Sequence, residues 1–132
     1  MARVHLAIVD PAAACALLSG DKHIESRFSR HRRAPYGQVA RGDTIHFKLT
    51  GGRVIGTAAV AGVQEFHDLT PPMVERLRRL YNGAVRAPAR YWASRRGSRY
   101  GVLIWLGALR PVRRRLRVPR QFGRAWVVLA QG

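Results

Sequence analysis

Apolar and polar positions alternate over "RVHLAIV", with Val4, Leu6 and Ile8 on one face, and this predicts a first strand. Asp10 then reads as an N-cap, Pro11 as a first-turn residue and Gly20 as a C-terminal stop, which bounds a short apolar helix over "PAAACALLS". "KHIESRF" is strand-like, with His23, Glu25 and Arg27 on one face and Lys22, Ile24 and Phe28 on the other. A basic loop, "SRHRRAPYGQVARG", separates it from "DTIHFKL", a strand that turns Ile45, Phe47 and Leu49 inward. "TGG" folds that strand back onto "RVIGTAAVAGV" as a hairpin. Thr70 with Pro71-Pro72 opens a helix whose buried stripe is Met73, Leu77, Leu80 and Tyr81. A second short helix is expected over "APARYWASR", a buried strand over "YGVLIWLGAL", and a closing strand over "AWVVLA".

Strands and helices that do not alternate strictly point to a small α+β domain with a barrel-like mixed sheet. Five or six strands and two or three flanking helices are expected. At 132 residues the chain is of single-domain size, with a basic extension at about 111–132 that ends on the final strand. Apolar stretches fall short of the roughly 18 residues that span a bilayer. Val4–Val9 is too short for a signal h-region and Asp10-Pro11 interrupts it, so a cytoplasmic protein with no membrane partner is expected.

Charge changes this picture more than composition does. The formal net charge is +17, and it is unevenly placed. Residues 1–70 carry nine Lys/Arg against six Asp/Glu, whereas residues 71–132 carry fifteen Arg against Glu75 alone. Arg in place of Lys is what a GC-rich genome would produce, but codon bias does not remove acids. The second half therefore favours a polyanionic partner, nucleic acid above all, because each neutralised phosphate releases condensed counterions. Tyr91, Trp92 and Tyr100 are interleaved there with Arg90, Arg95, Arg96 and Arg99, a pattern suited to stacking bases while holding phosphates. Trp92 is as readily a core residue, and Trp105 and Trp126 lie in apolar strands as core.

Several chemistries lack their residues. The five histidines have no metal-ligand spacing and the single Cys15 cannot build a thiolate zinc site, so no metal and no cofactor are expected. There is no phosphate-binding glycine loop and no nucleophile elbow.

One stretch stands apart. "SGDKHIESR" holds two of the seven acids of the chain, Asp21 and Glu25, among Lys22, His23 and Arg27. Gly20, Lys22, Glu25 and Arg27 match the Gly-x-Lys-x-x-Glu-x-Arg signature of the ASCH domain family position for position. The order of the later blocks agrees as well: "GDTIHFK", "IGTAAVAGV", "LTPPMVERL", then "YW" before "YGVLIWL". Residues 4 to about 110 thus resemble an ASCH domain. The resemblance implies a barrel of the PUA-like superfamily, a cleft lined by the motif, and association with RNA or another nucleic acid. A few relatives are amidohydrolases on an acylated cytidine, and a ribonuclease activity also occurs in the family. Those amidohydrolases use a Lys, a Thr three residues later and a Glu on the following helix. Lys22 matches the first, Glu25 stands in place of the Thr, and Glu75 does not align securely with the acid.

Two functions follow. In the leading one, the chain is a binding module for nucleic acid, RNA in the first place, or for a nucleoside or nucleotide. Lys22, Glu25, Arg27 and Tyr91 then form the ligand cleft, with an ionised Glu25 orienting the cations and Lys22 exposed at its edge. Arg30, Arg32, Arg33, Arg95, Arg96 and Arg99 extend the basic surface. In the alternative, the chain is a hydrolase of a modified nucleoside or of RNA, with Lys22 and Glu25 catalytic and Lys22 moving the proton. Arg27 favours a neutral amine there and Glu25 a charged one, so the residues permit a catalytic Lys22 without arguing for it. The bland possibility is an ion-pair cluster that pins the first helix to the sheet.

Overall fold

A computed structural model of the protein describes residues 2–131. β1 (Arg3–Val9) leads into α1 (Pro11–Ser19), then β2 (Ile24–Ser29), β3 (Thr44–Leu49) and the long β4 (Val54–Phe66). α2 (Pro71–Val85), α3 (Ala89–Ser94), β5 (Tyr100–Leu106), the two-residue β6 (Arg110–Pro111) and β7 (Trp126–Gln131) follow. The fold is mixed α+β, with seven strands because the basic segment contributes β6. Among the described residues no helix is long and apolar enough to cross a membrane.

The strands form one sheet in the order β2-β5-β4-β3-β1-β7, with β6 beside β4. β1 and β3 run parallel and the other pairs antiparallel. β4 serves two neighbours in succession: its first half pairs with β3 and its second half with β5. A register shift between Val60 and Gly62 marks the changeover, as a bulge does where a strand must bend. The sheet is not closed, since β2 pairs with β5 alone and β7 with β1 alone.

The inner face gathers Ala7, Val9, Ile45, Phe47, Val102, Ile104 and Trp126 into one core, as the alternation in β3 and β5 predicts. Each such side chain removed from water contributes roughly 1.5–3 kcal/mol. A second core sits outside β2 and β5, where Ile24, Phe28 and Leu103 meet Val74, Leu77 and Val85 of α2 and Trp92 of α3.

Two expectations are corrected, and the faces of β1, which the sequence left unassigned, are settled. In β1 it is the face opposite Val4, Leu6 and Ile8 that enters the main core, through Ala7 and Val9. Leu6 and Ile8 belong to a third cluster instead, covered by Val112, Leu116 and Val118. The basic segment is therefore a strap, apolar inward and Arg outward. In α2 the buried stripe is Val74, Leu77 and Val85, while Met73 is 41% and Leu80 61% exposed. The helix is rotated relative to the predicted stripe because β2 and α3 lie on the Val74/Val85 side. Trp105 is only half-buried and meets Tyr81 edge-on, with ring centroids 5.6 Å apart.

Candidate functional site

The glycine of the motif ends α1. Gly20 adopts φ 85, a left-handed conformation open to glycine at little cost, and its N–H donates to Leu17 O at 3.2 Å. Lys22 N–H then reaches back to Ala16 O at 3.0 Å, so the chain turns sharply before β2 begins at Ile24. The two faces of β2 go to different places. Ile24 and Phe28 pack on α2 and α3, and Glu25 and Arg27 point to the opposite face, into a cleft.

Lys22 is buried, contrary to expectation, with only 8% of its surface exposed. Its Nζ donates to Val85 O at 2.7 Å, one of the carbonyls that the last turn of α2 leaves without a helical partner. The cluster thus ties down α2 rather than α1. Glu25, only 5% exposed, accepts from Ser26 N at 3.0 Å through Oε1. The two cations stand farther off, Lys22 Nζ at 3.8 Å and Arg27 Nε at 3.7 Å from the same oxygen. Glu25 Oε2 and Arg27 Nε are buried without any hydrogen-bond partner. Arg27 spends its other nitrogens across the open seam, on Ile8 O at 3.0 Å and Ala125 O at 3.3 Å. Its guanidinium also lies 5.2 Å from the ring centroid of Trp126.

Tyr91, from α3, closes one side. Its hydroxyl is within 2.9 Å of Ser26 Oγ, and Arg95 stacks 4.7 Å from its ring centroid. Burial pushes the phenol above its ordinary value, Glu25 adds to the effect, and the group keeps its proton at neutral pH.

These residues line a cleft of about 1190 Å³ between β2, the ends of β1 and β7, the loop before β3 and α3. Small-molecule pockets commonly measure roughly 300–1,000 Å³, so the cleft has room for more than one nucleoside. Lys22, Arg27, Arg33, Arg86, Arg90, Arg95 and Arg124 line it, against Asp10 and Glu25. Asp10 is engaged in capping α1 through Ala13 N at 2.8 Å, and Arg86 faces Asp21 at 3.8 Å.

Of the expected basic residues, Arg33 and Arg95 are brought to the cleft. Arg32 stacks 5.2 Å from the Tyr36 ring centroid beside it, and Arg30 lies against Gly97. Arg96 and Arg99 are exposed outside it, with Arg99 4.0 Å from Asp68. Phe122 and Arg124, unremarked in the sequence, also line the cleft. Their signal was an isolated Phe in a polar Pro/Gly stretch with no apolar neighbour to pack on.

A second buried polar cluster had no sequence signal at all. His5, fully buried, lies 2.8 Å from Asp43 Oδ2 through Nε2, and Trp126 Nε1 donates to its Nδ1 at 3.1 Å. Because Trp126 is a donor only, Nδ1 accepts and the ring proton sits on Nε2. Asp43 also receives Arg3 N at 2.8 Å and Ala40 N at 3.0 Å. Burial alone would raise its carboxyl, but these donors together hold it below the usual carboxylate range. Among the described residues no group of three metal-ligating side chains occurs.

No family model matches the chain and no curated protein does. Solved structures do. A single-substitution variant of the ASCH protein from Zymomonas mobilis superposes with a TM-score of 0.73 at 20% identity, covering 96% of this chain and 88% of that one. The unsubstituted ASCH protein from Zymomonas mobilis gives 0.66 at 22% identity, covering 84% and 71%. The chain thus has the fold of an ASCH domain.

Proposed function

We propose that the protein is a nucleic-acid-binding module, with RNA as its partner, that takes nucleotides into the cleft floored by Lys22, Glu25 and Arg27. The observation that carries this reading is a cleft larger than one nucleoside, rimmed by Arg33, Arg90, Arg95 and Arg124, none of which faces a carboxylate among the described residues. Uncompensated cations along a groove are what a phosphate backbone needs. Tyr91 with Arg95, and Tyr36 with Arg32, add aromatic faces already stacked on guanidinium planes.

The test is anisotropy of a labelled RNA oligonucleotide across a salt series. Affinity should fall steeply with salt, and each lost phosphate contact should flatten the log–log slope by roughly 0.7. Arg33→Ala with Arg95→Ala should weaken binding more than Arg96→Ala with Arg99→Ala, because only the first pair lines the cleft. Equal effects would remove the cleft from the binding surface, and salt-independent or absent binding would remove the function.

One observation favours a second reading, hydrolysis of an acylated cytidine nucleoside or of RNA. Glu25 Oε2 has no partner beside Lys22 at the cleft floor, as an acid or base awaiting a substrate would. Against it, Lys22 Nζ is committed to Val85 O and would have to leave that carbonyl to move a proton. Turnover abolished in Lys22→Met, with RNA affinity kept, would favour hydrolysis over binding alone.

A further inference from the structure

Phe122 is 80% exposed, more than any other large apolar side chain in the described chain, and belongs to none of the three cores. It occupies the tip of a tight turn in which Arg124 N donates to Gln121 O at 3.0 Å. Phe122 has φ 53 and Gly123 φ 77, so both central residues are left-handed. Turns of that kind favour Asn, Asp or Gly at the first central position, and a bulky residue there is an outlier. The turn does not need an aromatic side chain, and the core does not use it.

Its surroundings point to what does. Phe122 lines the rim of the cleft, on the same turn as Arg124 and two residues from Arg120. Arg124 Nε donates to Gln121 O at 3.0 Å, which fixes the guanidinium on the turn. Neither arginine faces a carboxylate among the described residues, and the chain from residue 76 onward contains no acid. An exposed aromatic face beside the Arg124 cation suits a ligand that joins a π-face to a phosphate. A nucleobase in a single strand is that ligand, whereas in a duplex the base faces are buried in the stack.

We propose that Phe122 is a stacking platform for a base of a single-stranded polynucleotide entering the cleft, with Arg124 holding the adjacent phosphate. This rests on the nucleic-acid reading above and adds to it a preference for single strands and the residue that produces it.

The test compares wild type, Phe122→Asn and Phe122→Trp for affinity to a labelled single-stranded RNA and to a blunt duplex of the same length, each over a salt series. Phe122→Asn keeps a residue that tolerates the left-handed turn, so its melting temperature should match or exceed wild type. Its single-strand affinity should fall about tenfold, within the range set by one lost base–aromatic stack. Its salt slope should not change, because no phosphate contact is lost. Duplex affinity should stay constant, and Phe122→Trp should bind single strands at least as tightly as wild type. Unchanged single-strand affinity in Phe122→Asn, with salt-dependent binding intact in wild type, overturns the platform and leaves the nucleic-acid function standing. Equal losses for single strand and duplex also overturn it. No binding by wild type overturns both.

Discussion

Two buried polar clusters sit on either side of Trp126, and they are built to opposite standards. In the first, His5, Asp43 and Trp126 are joined at 2.8 and 3.1 Å, and Asp43 takes two backbone amides besides. In the second, Glu25 holds Lys22 and Arg27 at 3.8 and 3.7 Å, and two of its buried polar atoms have no partner. Both place a carboxylate beside nitrogen bases with little contact to water. A satisfied network earns rigidity, since low dielectric strengthens each bond within it. An unsatisfied one spends stability, which a fold tolerates where a ligand completes the set. The difference separates a scaffold from a candidate site more sharply than burial or charge does alone.

Isosteric amides test that contrast most strongly. Asp43→Asn turns a donor toward donors and should cost about 2–3 kcal/mol, the scale of losing a hydrogen bond to a charged group in a buried site, read by urea denaturation. The pH dependence should follow the same residue. Its folded carboxyl lies below the ordinary range, so the unfolded chain takes up the proton first as pH falls. The stabilisation is complete above the ordinary carboxylate range and is lost as pH falls through the lowered folded value. Asp43→Asn should flatten that acid slope; an unchanged slope would break the assignment. Next in size, Lys22→Met leaves Val85 O without its donor and should cost about 1–2 kcal/mol in the same assay. Smallest is Glu25→Gln, which can retain the bond from Ser26 N and stands beyond hydrogen-bond distance of both cations, so it should shift stability by less than about 1 kcal/mol. It should still weaken RNA binding several-fold. If Glu25→Gln destabilises as much as Asp43→Asn, the two clusters are alike and the second is structural.

What could be read from the sequence tracks how local the cause is. Asp10, Pro11 and Gly20 mark α1 at both ends because a cap and a left-handed stop act within one turn. β3 and its hairpin followed from alternation and "TGG" for the same reason. The side of α2 that is buried was not legible, since Met73 and Leu80 fit a stripe as well as Val74 and Val85, and only the distant β2 and α3 choose between them. The motif brought Lys22, Glu25 and Arg27 together within six residues, and the structure does place them around one cleft. The direction of Lys22 was hidden, because its acceptor is 63 residues away. His5, Asp43 and Trp126 were invisible together: 38 and 121 residues separate the partners, and no spacing rule connects them.

The open seam has a consequence for how copies of this chain meet. β2 and β7 each present a free edge, the kind of surface that recruits a strand from another molecule. Backbone pairing between them would have protected both edges and sealed the cleft. Arg27 bridges the seam with a side chain instead, donating to Ile8 O near the end of β1 and to Ala125 O just before β7. The two edges are therefore joined by one side chain rather than sealed by a backbone ladder, and the cleft between them stays open.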